Sequence, residues 1–598
     1  MRFSQLAEYL ERLEKTASRN AMTEILAELF KRADTEEIDK MCYLLLGELA
    51  PPYRGIEFQI AEKMMMHVLA AAYGKTPDEI RRRFKAGGDL GDVAYACATD
   101  QKTAQRGKNL SVIAVYDALR SIAEESGEGS QERKVQKAVL LLVRLDPLSA
   151  KFVTRIPVAK LRLGFSDATL MDAFSFMLAG DKSARKQIEC AYNVVADIGA
   201  IAVRVKQGGL GGLARIHAKP GVPIRPSLAE RLQNMDEVIK KAGPVVAVEP
   251  KLDGFRTQIH IWREKGERRA ALFSRNLECT TAMFPEIADA AKKLPVDSAI
   301  LDSEAIGYHP ETRVFALFQE TVQRKRKHDI AAVAAKIPLA AFIFDIMYLD
   351  GKPLVALPFS ERRGALERLF KKAGASSALR LTEQVVTDSL AVVRKELVKD
   401  IDRGLEGIVV KNLTAPYEAG NRGFHWIKLK EKSSALAHLR AGESAGLPDT
   451  IDCMVMGAYR GRGKRAQFGV GGFLLGVAGS DDRYYTISRL GTGLSDEQFR
   501  EAKRRMKAYE VREKPKEYVA DSETAPDIWI RPSLVVEILA DEITRSPRHT
   551  AGRVGDDPGY SLRFPRLVRF RDDKKPEDAT SIREIIRMYG LQKKPLSE

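Results

Sequence analysis

Residues 245–256 read VVAVEPKLDGFR and set Lys251 between an apolar run and an Asp-Gly turn. A surface lysine needs no such setting, whereas a nucleophilic amine does. Partial burial and neighbouring cations favour the neutral, reactive form of such an amine. Five further segments put charged or aromatic residues at or beside apolar runs: Phe273-Ser274-Arg275-Asn276, Asp302-Ser303-Glu304, Phe344-Asp345-Ile346-Met347-Tyr348, Glu406-Gly407-Ile408-Val409-Val410-Lys411 and Trp426-Ile427-Lys428-Leu429-Lys430. If strand ends aim these groups at one cleft, it can hold a nucleotide and its metal. The lysine attacks phosphorus, cations meet the developing charge, and carboxylates suit a hard cation that keeps its waters. Taken singly, each segment has a plainer reading: Glu304 as an edge carboxylate, Phe344 as core.

The elements that must position these residues follow from hydrophobic periodicity. Phe255, Thr257, Ile259 and Ile261 alternate with Arg256, Gln258 and His260, which predicts a strand. Strand-like runs recur at AALFSRN, AILDSEAIGY, AAFIFDIMYL and EGIVVKN with helical stretches between them, so a mixed α/β region begins near residue 244. The Asp-Gly pair after Lys251 predicts a tight turn between two strands. Before this region the chain reads as helices. Leu6, Leu10 and Leu13 share one helical face, and Ile25, Leu26, Leu29 and Phe30 continue the pattern on a second helix. Gly and Pro cluster over 206–226, which reads as a linker, and a second polar break covers 432–449. Beyond it, CMVMGAY, GGFLLGVAG, YYTISRL and SLVVEIL are short strands between glycine-rich turns, the pattern of a small β-barrel. The expected division is 1–215 helical, 216–435 mixed α/β and 436–598 barrel.

Bulk properties narrow the partners. A chain of 598 residues holds several domains, and 44% hydrophobic with 30% charged residues is a globular composition. The formal charge of +16 favours a polyanion, with nucleic acid the commonest. The loop GRGKRAQFG adds Arg460, Arg462, Lys464 and Arg465. Cys42, Cys97, Cys190, Cys279 and Cys453 are far apart and form no Cys-x-x-Cys pair, which points to a reducing compartment without a structural zinc site. The N-terminus lacks a signal-peptide pattern, and no apolar run is long enough for a membrane span. Gly74-Lys75-Thr76 ends like a phosphate-binding loop, but Leu69 stands where its first glycine belongs.

Taken in order, these segments resemble the ATP-dependent DNA ligases, most closely the archaeal-type branch related to the eukaryotic replicative ligase. The resemblance covers almost the whole chain. It includes LLLGELAPPYRG, KLRLGFSDATL, PGVPIRPSLA and the tail SLRFPRLVRFRDDKKPEDAT, in which Arg569, Arg571, Asp573 and Lys574 carry the last motif. It implies a multidomain protein with an all-α DNA-binding domain, an α/β nucleotidyltransferase (adenylation) domain and a C-terminal OB-fold β-barrel. It further implies that Lys251 takes AMP from ATP in a phosphoramidate bond. Glu249 would read the adenine amino group, and Phe344 would stack on the base. Arg256 and Arg275 would contact the ribose and the substrate 5′-phosphate region. Glu304 would bind the ribose or a metal, and Glu406 would be a metal-side carboxylate. Arg422 and Lys428, with Lys430 nearby, would hold the α-phosphate. The implied cofactors are ATP and Mg²⁺, with Mn²⁺ as a substitute. The implied partner is nicked double-stranded DNA bound without sequence preference, in replication, repair and recombination, with a sliding clamp as a further candidate. The expected protein is monomeric and cytoplasmic.

The chain departs from the family pattern at Asp302-Ser303-Glu304, where Asp-Gly-Glu is common, and in a longer connection over 432–449, the expected hinge. An mRNA-capping guanylyltransferase shares the lysine motif but uses GTP and normally lacks a large helical domain. An RNA ligase is disfavoured by the match in the helical region, and an NAD-dependent ligase by the absent cysteine cluster. A non-catalytic DNA clamp is disfavoured by intact Lys251, Glu304 and Glu406.

Overall fold

The computed structural model describes residues 1–100, 110–161, 163–232, 235–309, 314–316, 321, 324, 337–374, 376–430, 450–461, 469–491, 494–540, 542–555 and 557–592. The chain forms two compact units, Met1–Glu431 and Lys432–Glu598. The expected break at 432–449 and the basic residues Arg462, Lys464 and Arg465 lie outside the described residues.

The N-terminal helices form where the periodicity places them. Phe3–Glu14 buries Leu6, Leu10 and Leu13 on one face, and Arg19–Arg32 buries Leu26, Leu29 and Phe30. Ser18 caps the second helix by accepting from the Ala21 N–H. Gly74-Lys75-Thr76 joins two helices: Gly74 ends Glu62–Tyr73 in the left-handed region, and the Thr76 hydroxyl caps Pro77–Gly87.

The expected linker at 206–226 is corrected by the structure. Its first half belongs to the helix Ile198–Leu213, which departs from helical geometry only at Gly208 and Gly209. Val205 and Leu213 are buried in the helical core on either side of this kink and hold the segment down, so tertiary packing keeps Gly211 and Gly212 helical despite their low propensity. The second half is a packed strap. The Gly221 N–H donates to His260 Nδ1 at 3.0 Å, and Ile224 exchanges two hydrogen bonds with the Gln258 amide at 2.9 and 2.7 Å.

Twelve strands follow: β1 Leu228–Arg231, β2 Val246–Pro250, β3 Phe255–Glu264, β4 Glu267–Ser274, β5 Ala299–His309, β6 Val314–Phe315, β7 Leu339–Leu349, β8 Lys352–Pro353, β9 Leu379–Leu381, β10 Val385–Thr387, β11 Gly407–Asn412 and β12 Arg422–Lys430. They build two sheets, one ordered β1-β12-β11-β2-β10 and the other β4-β3-β5-β7-β8, with β6 beside β5 and β9 beside β7. β2 and β3 therefore belong to different sheets. The Asp-Gly pair makes no hairpin, and residues 251–254 cross from one sheet to the other.

The alternation in β3 holds, yet both of its faces are buried. Ile259 and Ile261 enter one core, while Gln258 and His260 lie beneath the strap. Asp302-Ser303-Glu304 lies within β5 and not at its end. Two bulges in β7 alter its facing. Asp302 pairs with Asp345 and Ser303 with Ile343, which leaves Phe344 unopposed; Ile300 pairs with Tyr348 and Leu301 with Ile346, which leaves Met347 unopposed. A bulge re-aims side chains. Phe344 and Met347, three residues apart, thus join one apolar cluster with Trp426 and Tyr417, while Ile343 and Ile346 enter the other core.

The C-terminal unit is rich in strands. Ile451–Tyr459 pairs with Gly472–Ala478, which pairs in turn with Tyr484–Leu490. The other edge of Ile451–Tyr459 is shared by Ile528–Ile530 and Val535–Leu539, and the latter pairs with Arg566–Phe570. Phe499, Ala502 and Met506 of the helix Asp496–Met506 fill the core against these strands. Among the described residues no helix is long and apolar enough to cross a membrane.

Candidate active site

Lys251 lies at the sheet-to-sheet crossover and is held twice by the segment that opens β11. Its N–H donates to the Gly407 carbonyl at 2.8 Å, and its ammonium pairs with the Glu406 carboxylate. Lys430, at the end of β12, pairs with the same carboxylate at 3.1 Å. Register brings these residues together, since Gly407 faces Lys430 across the β11–β12 ladder and Ile408 faces Pro250 across β11–β2. Gly407 itself has φ of +137, a conformation that disfavours a side chain, and its position against the Leu429 carbonyl leaves no room for one. Burial acts to raise the Glu406 pKa, but Lys251 and Lys430 outweigh it and hold the group below the usual carboxylate range.

Cations gather around this pair. Lys428 is pushed below the usual lysine range, first by burial and then by Arg422, Lys251, Lys430 and Arg275. Arg422 opens β12 and Arg275 follows β4, and both are exposed. Glu304 is half-buried on β5 opposite Arg256. Burial raises its pKa to about 7 against the pull of Lys251 and Arg256, with Asp302 and Asp253 adding to the rise. The sequence-predicted residues Lys251, Glu304, Glu406, Arg275, Arg422 and Lys428 thus share one electrostatic field.

Glu249, Phe344 and Arg256 are more deeply engaged than the sequence suggested. Glu249 is buried; it accepts from Gln384 at 2.9 Å and pairs with Lys411 at 2.6 Å. The Lys411 ammonium lies 4.7 Å from the Phe344 ring centre, 4.5 Å from Phe359 and 4.6 Å from Trp426. Its placement allows cation–π attraction to three rings. Burial pushes its pKa down while Glu249 opposes that shift. Arg256 donates to Asp302 at 3.2 and 2.7 Å and to the Tyr417 hydroxyl at 3.3 Å, and Tyr417 donates to Asp302 at 2.7 Å. The Arg256 guanidinium also lies 5.6 Å from the Phe344 ring centre.

Sequence reasoning missed Lys411, Gln384, Asp302 and Tyr417 as parts of the site. Lys411 and Asp302 stood inside quoted segments, and a charged residue closing a run as apolar as Ile408-Val409-Val410 is a signal for a buried partner. Gln384 and Tyr417 carry no comparable local signal. The arrangement combines an amine, a cluster of cations, two carboxylates and an aromatic ring beside a buried carboxylate. That set suits transfer of a nucleotidyl group.

Comparison with known proteins agrees with this chemistry. Residues 2–175 match the family model described as DNA ligase N terminus, 226–430 the ATP dependent DNA ligase domain, and 466–574 the ATP dependent DNA ligase C terminal region. The chain belongs to the ATP-dependent DNA ligase family. Within that family it is 43% identical to a probable DNA ligase of Dictyoglomus thermophilum, over 99% of this chain and 98% of the relative. It is 39% identical to the DNA ligase of Thermoplasma volcanium over the full length of both. A solved structure named Pmar-Lig_PreS3 shares the fold of this ligase-family chain at 17% identity and a TM-score of 0.53, covering 94% of this chain and 99% of that one. The enzyme thus joins a helical N-terminal region, a central adenylation region and a strand-rich C-terminal region.

Proposed function

We propose that this enzyme seals nicks in duplex DNA through a lysyl-AMP intermediate carried by Lys251. The observation that carries the reading is the Lys251–Glu406–Lys430 cluster, set among Lys428, Arg422 and Arg275. In the first step the Lys251 amine attacks the α-phosphorus of ATP. The N–P bond forms, the bond to the β-phosphate oxygen breaks, and pyrophosphate leaves. The Lys251 ammonium first passes a proton to the Glu406 carboxylate against it, because only the neutral amine has the lone pair that attacks. In the second step an oxygen of the 5′-phosphate attacks the same phosphorus and the N–P bond breaks. In the third, the 3′-hydroxyl attacks the 5′-phosphate, and AMP leaves as the strand closes. Positioning and compensation of charge contribute most in such transfers.

Each remaining residue has a part in that sequence. Lys428, Lys430 and Arg422 oppose the charge of the α-phosphate, and Arg275 lies toward the 5′-phosphate. Glu249, tied by Lys411 and Gln384, presents a fixed acceptor to the adenine amino group, and Phe344 offers a ring for stacking. Arg256 approaches the ribose from its pairing with Asp302. Glu304 and Glu406 would hold Mg²⁺ or Mn²⁺, which neutralises phosphate charge when bound. The donor chemistry suits such an ion, since a hard cation that keeps its waters and uses substrate phosphates needs only one or two carboxylates. Arg569, Arg571 and Lys574 of the C-terminal tail would orient the pyrophosphate.

We assign 1–215 to gripping the duplex, 216–435 to adenylation and 436–598 to an OB-fold that alternates between nucleotide and DNA. The grip rests on phosphate contacts, so affinity for nicked DNA falls steeply with salt and is indifferent to sequence. The enzyme acts as a monomer in the cytoplasm, where its five cysteines stay reduced.

Label transfer tests the reading. The protein is stripped with pyrophosphate, then given Mg²⁺ and ATP, GTP or NAD labelled in the transferred nucleotide. Covalent label from ATP on the wild type, and none on Lys251→Ala, is expected. Label from GTP alone would establish the capping chemistry instead, and no label with intact duplex binding would establish a clamp.

A further inference from the structure

Within the C-terminal unit, one carboxylate bridges two cations of the tail. Asp452 accepts from Arg571 Nη1 at 3.1 Å and from Lys574 Nζ at 2.6 Å. Strand register sets up the arrangement. Asp452 pairs with Glu537, and Glu537 pairs with Arg569, so the three form a row across adjacent strands. Glu537 in turn accepts from Arg569 at 2.6 Å and from Thr450 at 2.7 Å. The backbone of Asp452 is fixed at both ends by Thr580: the Asp452 N–H donates to the Thr580 hydroxyl at 3.0 Å, and the Thr580 N–H donates to the Asp452 carbonyl at 2.9 Å. The Arg571 N–H is fixed as well, donating to Val535 O at 2.9 Å. Asp573 takes the remaining side of the guanidinium through Nε at 2.8 Å and Nη2 at 2.7 Å.

We propose that Asp452 is a positioning residue that holds Arg571 and Lys574 side by side as a two-cation clamp for pyrophosphate. An arginine and a lysine three residues apart repel each other, and a nearly buried carboxylate between them cancels that repulsion. The pairing does not exhaust the donors. A guanidinium has five N–H groups and an ammonium three. Arg571 gives three groups to Asp452 and Asp573, and Lys574 gives one to Asp452. Arg571 Nη1 also approaches Glu537 at 3.7 Å, which leaves at least one N–H of Nη2 on Arg571 and two N–H groups on Lys574 for phosphate oxygens. Anchored charge-assisted donors act without reorganising as the leaving group departs. This inference rests on the reading of the tail as the group that orients pyrophosphate.

The test uses the full chain and three readouts: labelling of Lys251 by ATP, discharge of the labelled enzyme by pyrophosphate, and sealing of a nick already adenylated at its 5′-phosphate. Asp452→Asn is compared with Asp452→Glu, Arg571→Ala and Lys574→Ala. For Asp452→Asn, the pyrophosphate concentration for half-maximal discharge rises about tenfold and labelling slows in step. Sealing of the pre-adenylated nick stays near wild type, which also shows that the variant folds, and Asp452→Glu recovers part of the loss. Normal discharge by Asp452→Asn beside slow discharge by Arg571→Ala would overturn the positioning role and leave the tail reading in place. Normal discharge by all the variants would overturn the tail reading itself. Loss of all three readouts by Asp452→Asn would make the residue merely structural. Faster labelling by that variant would mean that the carboxylate masks the cations instead of aligning them.

Discussion

The Lys251 ammonium lies against the Glu406 carboxylate, while the Lys251 N–H donates to the neighbouring Gly407 carbonyl at 2.8 Å. Side chain and backbone of the nucleophile are therefore fixed by two consecutive residues at the start of β11. The backbone contact fixes where the side chain starts, and the ion pair holds the amine at its far end.

Removal of the carboxylate should be costly to the chemistry and mild for the fold. Glu406→Ala is expected to slow labelling of Lys251 by about 100-fold or more, the scale of losing one preorganised charge at a phosphoryl centre. Single-turnover label transfer measures this, and a melting curve near wild type separates it from unfolding.

Gly407 should tolerate no side chain. Its φ of +137 and the Leu429 carbonyl beside it both exclude a Cβ, so Gly407→Ala must shift β11 against β12. A loss of about 2 kcal/mol in denaturant titrations, together with weakened labelling, is expected.

The buried Lys411–Glu249 pair should show strong coupling. Lys411→Met strands a carboxylate that is 2% exposed, with Gln384 and the more distant Arg363 as its remaining polar neighbours. The expected cost is about 3 kcal/mol, most of it recovered when Glu249→Gln is added. A double-mutant cycle by chemical denaturation measures the coupling. Additive losses would contradict it.

His260 should make stability depend on pH. Burial lowers its pKa from 6.5 to about 3. The Gly221 N–H occupies Nδ1, so Nε2 carries the proton and donates to Gln258. Below pH 6.5 the unfolded chain binds a proton that the folded chain refuses until about pH 3. Stability therefore falls with pH across that window, by about 1.4 kcal/mol per pH unit from this residue. Urea titrations from pH 7 to pH 4 should show His260→Gln less stable at pH 7 but with a shallower decline.

Much of this molecule is legible locally. Phe255, Thr257, Ile259 and Ile261 form one face of β3 because side chains alternate in any strand, and Leu6, Leu10 and Leu13 form one helical face because the period is 3.6. Lys251, Glu304, Glu406 and Lys428 stand out because charged residues next to apolar runs need a reason. What tertiary structure alone decided is where non-neighbouring segments meet. The Gly-rich stretch resumes its helix after the kink at Gly208 and Gly209 because Val205 and Leu213, on either side of it, find a core to enter. Lys251-Leu252-Asp253-Gly254 crosses between sheets because β2 pairs with β10 and β11, which come much later in the chain, while β3 pairs with β4 and β5. Phe344 reaches the site because a bulge shifts the register of β7 against β5. Lys411 is a buried cation only because Glu249 and three aromatic rings converge on it from distant parts of the chain. Periodicity and residue type are properties of a segment, whereas pairing, register and burial depend on the free energy of the whole fold.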